Sequence, residues 1–209
     1  MNAIAHARLE VRAATTTEEM RLAHDLMARV HQPEYSASMS WLESSALAYP
    51  GLRREHTRIA LSGGTLAGAL RLTTDTIRLG EARLKMGGLG WVTTAPDYRH
   101  RGVCSTLIED TLAYMREHGY HVSMLFGIPN FYHRFGYATT LAEYSITLNT
   151  ADVPASGGVP YRARTMKPGD IHVIHRIHRD NDDAGACSLI LRPLHEQVAA
   201  VGRGDGPCQ

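Results

Sequence analysis

Residues 92–107 constrain the fold more than any other part of the chain, because VTTAPDYRHRGVCSTL reads as a strand passing through a basic turn into a helix. Arg99 and Arg101 bring cations to that turn, and Gly102 lets its backbone come close to a ligand. The helix that follows opens with N–H groups that have no partner inside it, so its N-terminus suits an anion, phosphate above all. Two solvated arginines at an ordinary turn would look the same in isolation. The setting favours the anion site: β-type segments precede the turn, an amphipathic helix follows it, and an aromatic-rich segment comes next at Phe131 to Tyr137.

Upstream, glycines divide the chain into three β-rich stretches, 57–62, 65–78 after Gly63 and Gly64, and 82–95 after Gly80, which together predict an antiparallel meander. Gly87, Gly88 and Gly90 interrupt the last stretch and predict a bulge, a close approach by another group, or a simple bend. Residues 8–14 predict a first strand. Thr16 and Glu19 form a capping box ahead of an apolar face of Leu22, Ala23, Leu26, Met27 and Val30, so a helix is expected over 17–31, ending before Pro33. A weaker helix is expected over 38–49, closed by Pro50 and Gly51.

Downstream of the turn, Val103, Leu107, Ile108, Leu112 and Met115 recur on one helical face, with Glu109, Asp110, Arg116 and Glu117 largely opposite and Gly119 as the stop. A strand over 121–126, a short helix within GIPNFYHRFGY and a strand near 143–149 complete an α/β sandwich on a mixed sheet, spanning residues 8–150. Residues 151–160, with their Pro and Gly, read as a linker. Beyond it, Arg164 to Ile177 repeats the layout of Arg12 to Ala23 within a one-residue gap. Residues 161–209 are too few for a whole repeat, so they predict a partial second unit or lid with a flexible tail, its strand and helix over 161–179 packed on the main domain or a partner subunit.

Charge excludes some partners: 22 basic against 21 acidic side chains leave a net charge of +1, with no basic footprint for nucleic acid or an anionic membrane. No apolar run approaches the ~18 residues of a membrane span, and Met1 to Glu10 lacks the apolar core of a secretory signal, so a cytoplasmic protein is expected. Cys104, Cys187 and Cys208 are too few and too scattered for a disulfide framework or zinc site. No metal is expected. His172, His175 and His178 do not share one helical face, and Leu191 stands where Asp180, Asp182 and Gly185 would need a glutamate to close a calcium loop. Arg203 to Asp205 is read as chance.

Pro96, Asp97, Tyr98, Arg99, His100, Arg101, Gly102, Val103 and Cys104 resemble the acetyl-CoA signature of the GNAT superfamily of N-acetyltransferases, Arg/Gln-x-x-Gly-x-Gly/Ala. The resemblance implies an α/β fold with a GNAT-like mixed, mainly antiparallel sheet flanked by helices, here carrying a short C-terminal strand–helix appendage. It implies acetyl-CoA as co-substrate, its pyrophosphate on the turn formed by Arg99, His100, Arg101, Gly102, Val103, Cys104 and Ser105 and its pantetheine arm paired with the main chain of Val92 and Thr94. Cys104 stands where the family commonly has Gly or Ala, which implies a modest steric adjustment. Phe131, Tyr132, Gly136 and Tyr137 match the family's Phe-Tyr-x-x-x-Gly-Phe/Tyr stretch, whose Tyr points at the CoA sulfur. Asn130 sits immediately before that pair, closer than the Asn the family often carries there. Lys85 to Val92 and Tyr132 to Tyr137 are most similar to the enhanced-intracellular-survival (Eis) branch, over residues 9–149. In that branch a third domain delivers the chain's C-terminal carboxylate to the site; no residue here takes that role.

The chemistry of a phenol agrees with the role that resemblance gives Tyr132, since a group that titrates near ~10 is a fitting donor to a departing thiolate, although a packing aromatic is the alternative. Phe131, Phe135 and Tyr137 read as core. The expected reaction is direct attack of a small-molecule amine on the acetyl thioester, with the oxyanion held by an N–H of the meander and Tyr132 as acid. Cys104 as an acyl-accepting nucleophile is disfavoured by its place in the phosphate turn. Glu34, Glu43 and His133 stand as candidates for the base. A non-catalytic acyl-CoA sensor and a protein-amine acetyltransferase are the competing readings; a homo-oligomer is compatible with all three.

Overall fold

A computed structural model describes residues 9–31, 53–140, 147, 164–182 and 187–190. Its strands are β1 (Leu9–Ala13), β2 (Thr57–Ser62), β3 (Thr65–Leu79), β4 (Ala82–Thr94), β5 (Val122–Met124) and β6 (Cys187–Ile190). Its helices are α1 (Thr17–His31), α2 (Val103–Glu117) and α3 (Ile171–Asp182). The sheet runs β1-β2-β3-β4-β5: the first four strands are antiparallel neighbours, and β5 joins β4 in parallel after the α2 crossover. The meander therefore stands as expected. The expected helix at 38–49 and strand at 143–149 lie outside the described residues, apart from residue 147.

Each face of the sheet buries its own helix. Ile59 and Ala69 meet Ala23 and Met27 of α1, while Leu70, Leu72 and Leu89 meet Val103, Leu107, Ile108 and Met115 of α2. The α1 capping box is reciprocal: Glu19 N–H donates to Thr16 Oγ1 at 3.1 Å, and Thr16 N–H donates to Glu19 Oε2 at 3.4 Å. Arg12 of β1 grips the same carboxylate through two nitrogens at 2.7 and 3.0 Å, tying strand to helix start. Leu22 departs from expectation and is 41% exposed. The buried stripe centres on Met20, Ala23, His24 and Met27, which turns Leu22 to the far side of the helix. On α2, Thr111 replaces Leu112 in the buried stripe and settles its hydroxyl on Leu107 O at 2.7 Å. Asp110 does not point simply to solvent but pairs with Arg58 of β2, whose Nε donates to Oδ2 at 2.9 Å.

The glycine-interrupted part of β4 contains two of the three devices expected there, a close approach and a bulge. A Cβ on Gly87 would lie 2.5 Å from Met115 Cε, and one on Gly88 would lie 2.5 Å from Thr73 Oγ1, so both are close approaches. Between the pairs Ala69↔Thr93 and Arg71↔Gly90, β4 uses one residue more than β3. This bulge falls at Trp91, whose φ of 54° is left-handed. The extra residue reverses the strand's alternation: Leu89 packs towards α2, whereas Trp91 packs towards α1.

Two expected elements are corrected downstream. The strand over 121–126 shortens to Val122–Met124, and the short α-helix after it is a single 3-10 turn, Tyr132–Phe135, ended by Gly136 at φ 90°. In the C-terminal segment α3 forms where the expected helix lay, but residues 164–167 carry no strand, having no neighbouring strand to pair them among the described residues. The strand comes after the helix instead: β6 pairs antiparallel with the outer end of β3, Thr76 to Leu79. Arg164 grips Asp170 at the entry to α3 through two bonds of 2.6 Å, the same clasp that Arg12 makes with Glu19. Among the described residues no helix is long and apolar enough to cross a membrane.

Candidate active site

The site begins where two strands part. β5 pairs with β4 only at Met86, Gly87 and Gly88, so no strand among the described residues covers that edge of β4 beyond Gly88. Ala95 N–H donates to Ala67 O of β3 at 2.9 Å. Strand alternation then directs the main-chain groups of Thr94 and Val92 away from β3, into the opening. Both residues are half-buried, with Val92 resting against the α2 cluster.

At the top of this opening the chain turns into α2. A 3-10 turn, Pro96–Tyr98, leads to Arg99, His100 and Arg101, all exposed, with the Arg101 guanidinium 5.7 Å from the Tyr98 ring centroid. His100 and Gly102 are both left-handed, at φ 60° and 79°. Gly102 is the N-cap of α2 and supplies no side-chain bond to it; the first helical bond is Thr106 N–H to Gly102 O at 3.0 Å. The amides of Val103, Cys104 and Ser105 therefore point out of the helix end with no side chain across them, which fits a phosphate and the positive end of the helix dipole. Val103 is buried at 1% exposure and anchors the turn on the sheet. Burial pushes the Cys104 thiol up, opposed by the charge of Arg134. That cation was not singled out in the sequence; it is stacked on Phe131 and Phe135, 4.3 and 4.8 Å from their ring centroids.

Tyr132 begins the 3-10 turn that faces β5 and the first turn of α2. Its ring meets Phe131 edge-on at 5.0 Å and Tyr137 at 6.0 Å, in the aromatic cluster that includes Cys104. Burial, then the nearby Cys104 and Tyr137, push the Tyr132 phenol up, so it stays protonated at neutral pH. Its hydroxyl has no hydrogen-bond partner among the described residues. Tyr137, by contrast, has committed its hydroxyl to Ser123, which donates onward to Gly87 O at 3.2 Å. A cavity of about 560 Å³ opens beside Tyr132, lined by Ser123, Met124, Phe126, Ile128 and His133. Asn130, at φ 63°, lies exposed on its rim with its backbone left-handed, a conformation Asn tolerates.

On the α1 face of the bulge, the last residue of α1 reaches the strand. His31 Nε2 lies 3.1 Å from Thr93 Oγ1, and the His31 ring meets Trp91 edge-on at 5.4 Å. The Thr93 hydroxyl in turn donates to Trp91 O at 2.8 Å. Of the expected candidates for the base, Glu34 and Glu43 lie outside the described residues, and His133 is exposed at the cavity beside Tyr132. The expected histidine run stands on α3, and no group of three metal-ligating side chains converges among the described residues.

Comparison with known proteins agrees with this fold. Residues 10–140 match the family described as the acetyltransferase (GNAT) domain. No curated protein matches the chain. The GCN5-related N-acetyltransferase from Kribbella flavida superposes with a TM-score of 0.67 at 21% identity, over 98% of this chain and 51% of its own. Eis1 from Mycobacterium abscessus gives a TM-score of 0.52 at 17% identity, over 62% of this chain and 31% of its own. A GNAT family acetyltransferase from Brucella melitensis, solved with acetyl-CoA, gives 0.51 at 19% identity, over 70% of this chain and 99% of its own. These likenesses are of fold. The chain spans about half the length of the Kribbella protein and about a third of Eis1.

Proposed function

We propose, on the premise that this chain belongs to the GNAT acetyltransferase family, that it moves an acetyl group from acetyl-CoA to the amine of a soluble small molecule in the cytoplasm. One observation carries the reading: an edge of β4 that no described strand covers beyond Gly88 leads from an uncapped helix N-terminus to the hydroxyl of Tyr132, which has no partner among the described residues. The amides of Val103, Cys104 and Ser105, with Arg99, His100 and Arg101 around them, suit the pyrophosphate, and Cys104 is small enough to let it approach. The outward main-chain groups of Val92 and Thr94 suit the amides of the pantetheine arm. Asn130, on the rim, is read as a further cofactor contact.

In this reading the residues divide the work simply. The bulge at Trp91 spares a β4 N–H from the ladder to accept the charge that builds on the thioester oxygen. Tyr132 gives its proton to the leaving thiolate, a role that a raised phenol pKa and an uncommitted hydroxyl both favour over that of a packing aromatic. The same features favour an enzyme over an acyl-CoA sensor. The entry to α3 is read as the start of a second unit of the same kind as β1 and α1, because Arg164 and Asp170 repeat the Arg12–Glu19 clasp.

The test is thiol release from acetyl-CoA in the presence of spermidine, tyramine, glucosamine or kanamycin. Turnover dependent on one of these amines is expected. Acetyl-CoA binding with no thiol release from any of them would replace the enzyme with a sensor.

A further inference from the structure

The α1 face of the bulge holds a histidine that stands 62 positions from its partner on β4. Trp91 and Thr93 project to the α1 side of β4, opposite Val92, and the end of α1 lays His31 across both. The hydrogen bonds determine which ring nitrogen carries the proton. Trp91 O can only accept, and it lies 2.8 Å from Thr93 Oγ1, so the Thr93 proton goes to that carbonyl. Thr93 Oγ1 therefore accepts from His31, and the bond at 3.1 Å is Nε2–H donating. Nδ1 is left as the basic nitrogen of the neutral ring. It has no partner among the described residues, and His31 is exposed, so a ligand can reach it.

We propose that His31 Nδ1 is the base that takes the proton of the acceptor amine, with Thr93 and Trp91 as the residues that position its ring. This rests on the acetyl-transfer reading above. An amine arrives as an ammonium and cannot attack until it loses a proton; imidazole is the side chain suited to accept one near neutrality. The ammonium proton passes to Nδ1, directly or through one water, and the nitrogen lone pair then forms the C–N bond. As the C–S bond breaks, Tyr132 protonates the thiolate, the second amine proton restores the Tyr132 phenol, and His31 releases its proton to solvent. The balance is one ammonium and one thioester consumed, and one amide, one thiol and one proton formed.

Among the described residues no other side chain around Trp91 and Thr93 is placed to act as that base. On α1, Arg29 is paired with Asp25 at 2.7 Å, and His24 is buried and, through desolvation and then the charge of Arg71 on β3, pushed down to about 4. Between Gly87 and Thr94, β4 carries no titratable side chain.

The experiment is the pH dependence of kcat/KM from pH 6 to 10, using the amine with the highest turnover among spermidine, tyramine, glucosamine and kanamycin. In His31→Gln, kcat/KM at pH 7 should fall about 10²-fold, within the range for a lost base, and should recover towards wild type as pH rises and the amine deprotonates unaided. Acetyl-CoA affinity by calorimetry should stay the same. Thr93→Val, which removes the acceptor for Nε2–H, should lower kcat/KM by a smaller factor and shift the acid limb of the profile. A wild-type profile in folded His31→Gln and His31→Phe, or a flattened acid limb found only in Glu34→Gln, Glu43→Gln or His133→Gln, overturns the assignment while leaving acetyl transfer intact. No thiol release by the wild type with any of the four amines overturns both.

Discussion

Gly127 and the ring of Tyr132 are so close that a Cβ on Gly127 would lie 2.3 Å from Tyr132 Cε2 and 3.0 Å from Cδ2. The glycine after β5 thus sets the seat of the phenol. Gly127→Ala should push the ring out of place while leaving the sheet and α2 intact. A displacement of about 1 Å in a reacting group costs on the order of 10²-fold, so kcat should fall by roughly that factor with little change in acetyl-CoA affinity. Steady-state kinetics with calorimetry on the same sample checks this, and unchanged kcat would show that the ring has room to settle elsewhere.

Tyr132→Phe separates proton donation from packing at the same position. The ring contacts with Phe131 and Tyr137 survive, and only the hydroxyl is lost. As proton donor, Tyr132 is worth roughly 10²–10⁴-fold in kcat, with acetyl-CoA affinity and melting temperature near wild type. Turnover equal to wild type in the folded variant would remove Tyr132 from the chemistry.

Much of the scaffold was legible because its signals are local. Gly63, Gly64 and Gly80 mark the turns that separate β2, β3 and β4, and Thr16 with Glu19 marks the start of α1, all from residues within a few positions of one another. What escaped depends on contacts between distant segments. Trp91 adopts a left-handed φ against its own preference because β3 and β4 differ by one residue across the bulge, and nothing in the neighbouring sequence announces it. His31 and Thr93 stand 62 positions apart, so only the packing of α1 on the sheet brings them together. Gly127 reads as a loop glycine until the ring beside it is seen, and β6 carries no sign of its partner, the far end of β3.

The anion turn can be tested with an internal control. Gly102 and Gly119 flank α2, both have left-handed φ (79° and 68°), and a Cβ on either would meet nothing within 4 Å. Alanine at each should therefore cost the fold a similar ~1–2 kcal/mol of backbone strain. Only Gly102→Ala places a methyl group beside the amides of the helix start, so acetyl-CoA affinity should fall at least about 10-fold there and stay unchanged in Gly119→Ala. Equal affinities by calorimetry would remove Gly102 from the binding site.

The clasp between Arg12 and Glu19 makes stability depend on pH in a defined direction. Bonding to Arg12, then to the Thr15 backbone, holds the Glu19 carboxyl well below the usual carboxylate range. Its folded pKa lies below the unfolded value of ~4.3, so its stabilisation is fully present above that pH and is lost as pH falls through the folded value. Solvent screens the pair and limits it to about 0–1 kcal/mol. Glu19→Gln, which keeps the capping-box geometry, should lower the melting temperature by about 2 °C at pH 7, and the deficit should shrink below about pH 4. A deficit constant from pH 7 to pH 3 would assign the effect to the cap rather than the charge.

Cys104 provides a chemical test of the same turn. Desolvation raises its thiol pKa and Arg134 draws it back down, with burial the larger of the two. Only the thiolate alkylates, so at pH 7 Cys104 should react with iodoacetamide more slowly than glutathione does, and its rate should climb with pH as the thiolate forms. Removing the cation with Arg134→Ala leaves burial unopposed and should slow the reaction further at pH 7, where little thiolate is present. Peptide mapping by mass spectrometry isolates Cys104 from Cys187 and Cys208. A faster reaction in Arg134→Ala would mean that the arginine acts as a shield, stacked across Phe131 and Phe135, rather than as a charge. Saturating acetyl-CoA should protect the thiol in the wild type, because the amide of Cys104 belongs to the proposed phosphate cradle; an alkylation rate indifferent to acetyl-CoA would place the pyrophosphate away from the first turn of α2.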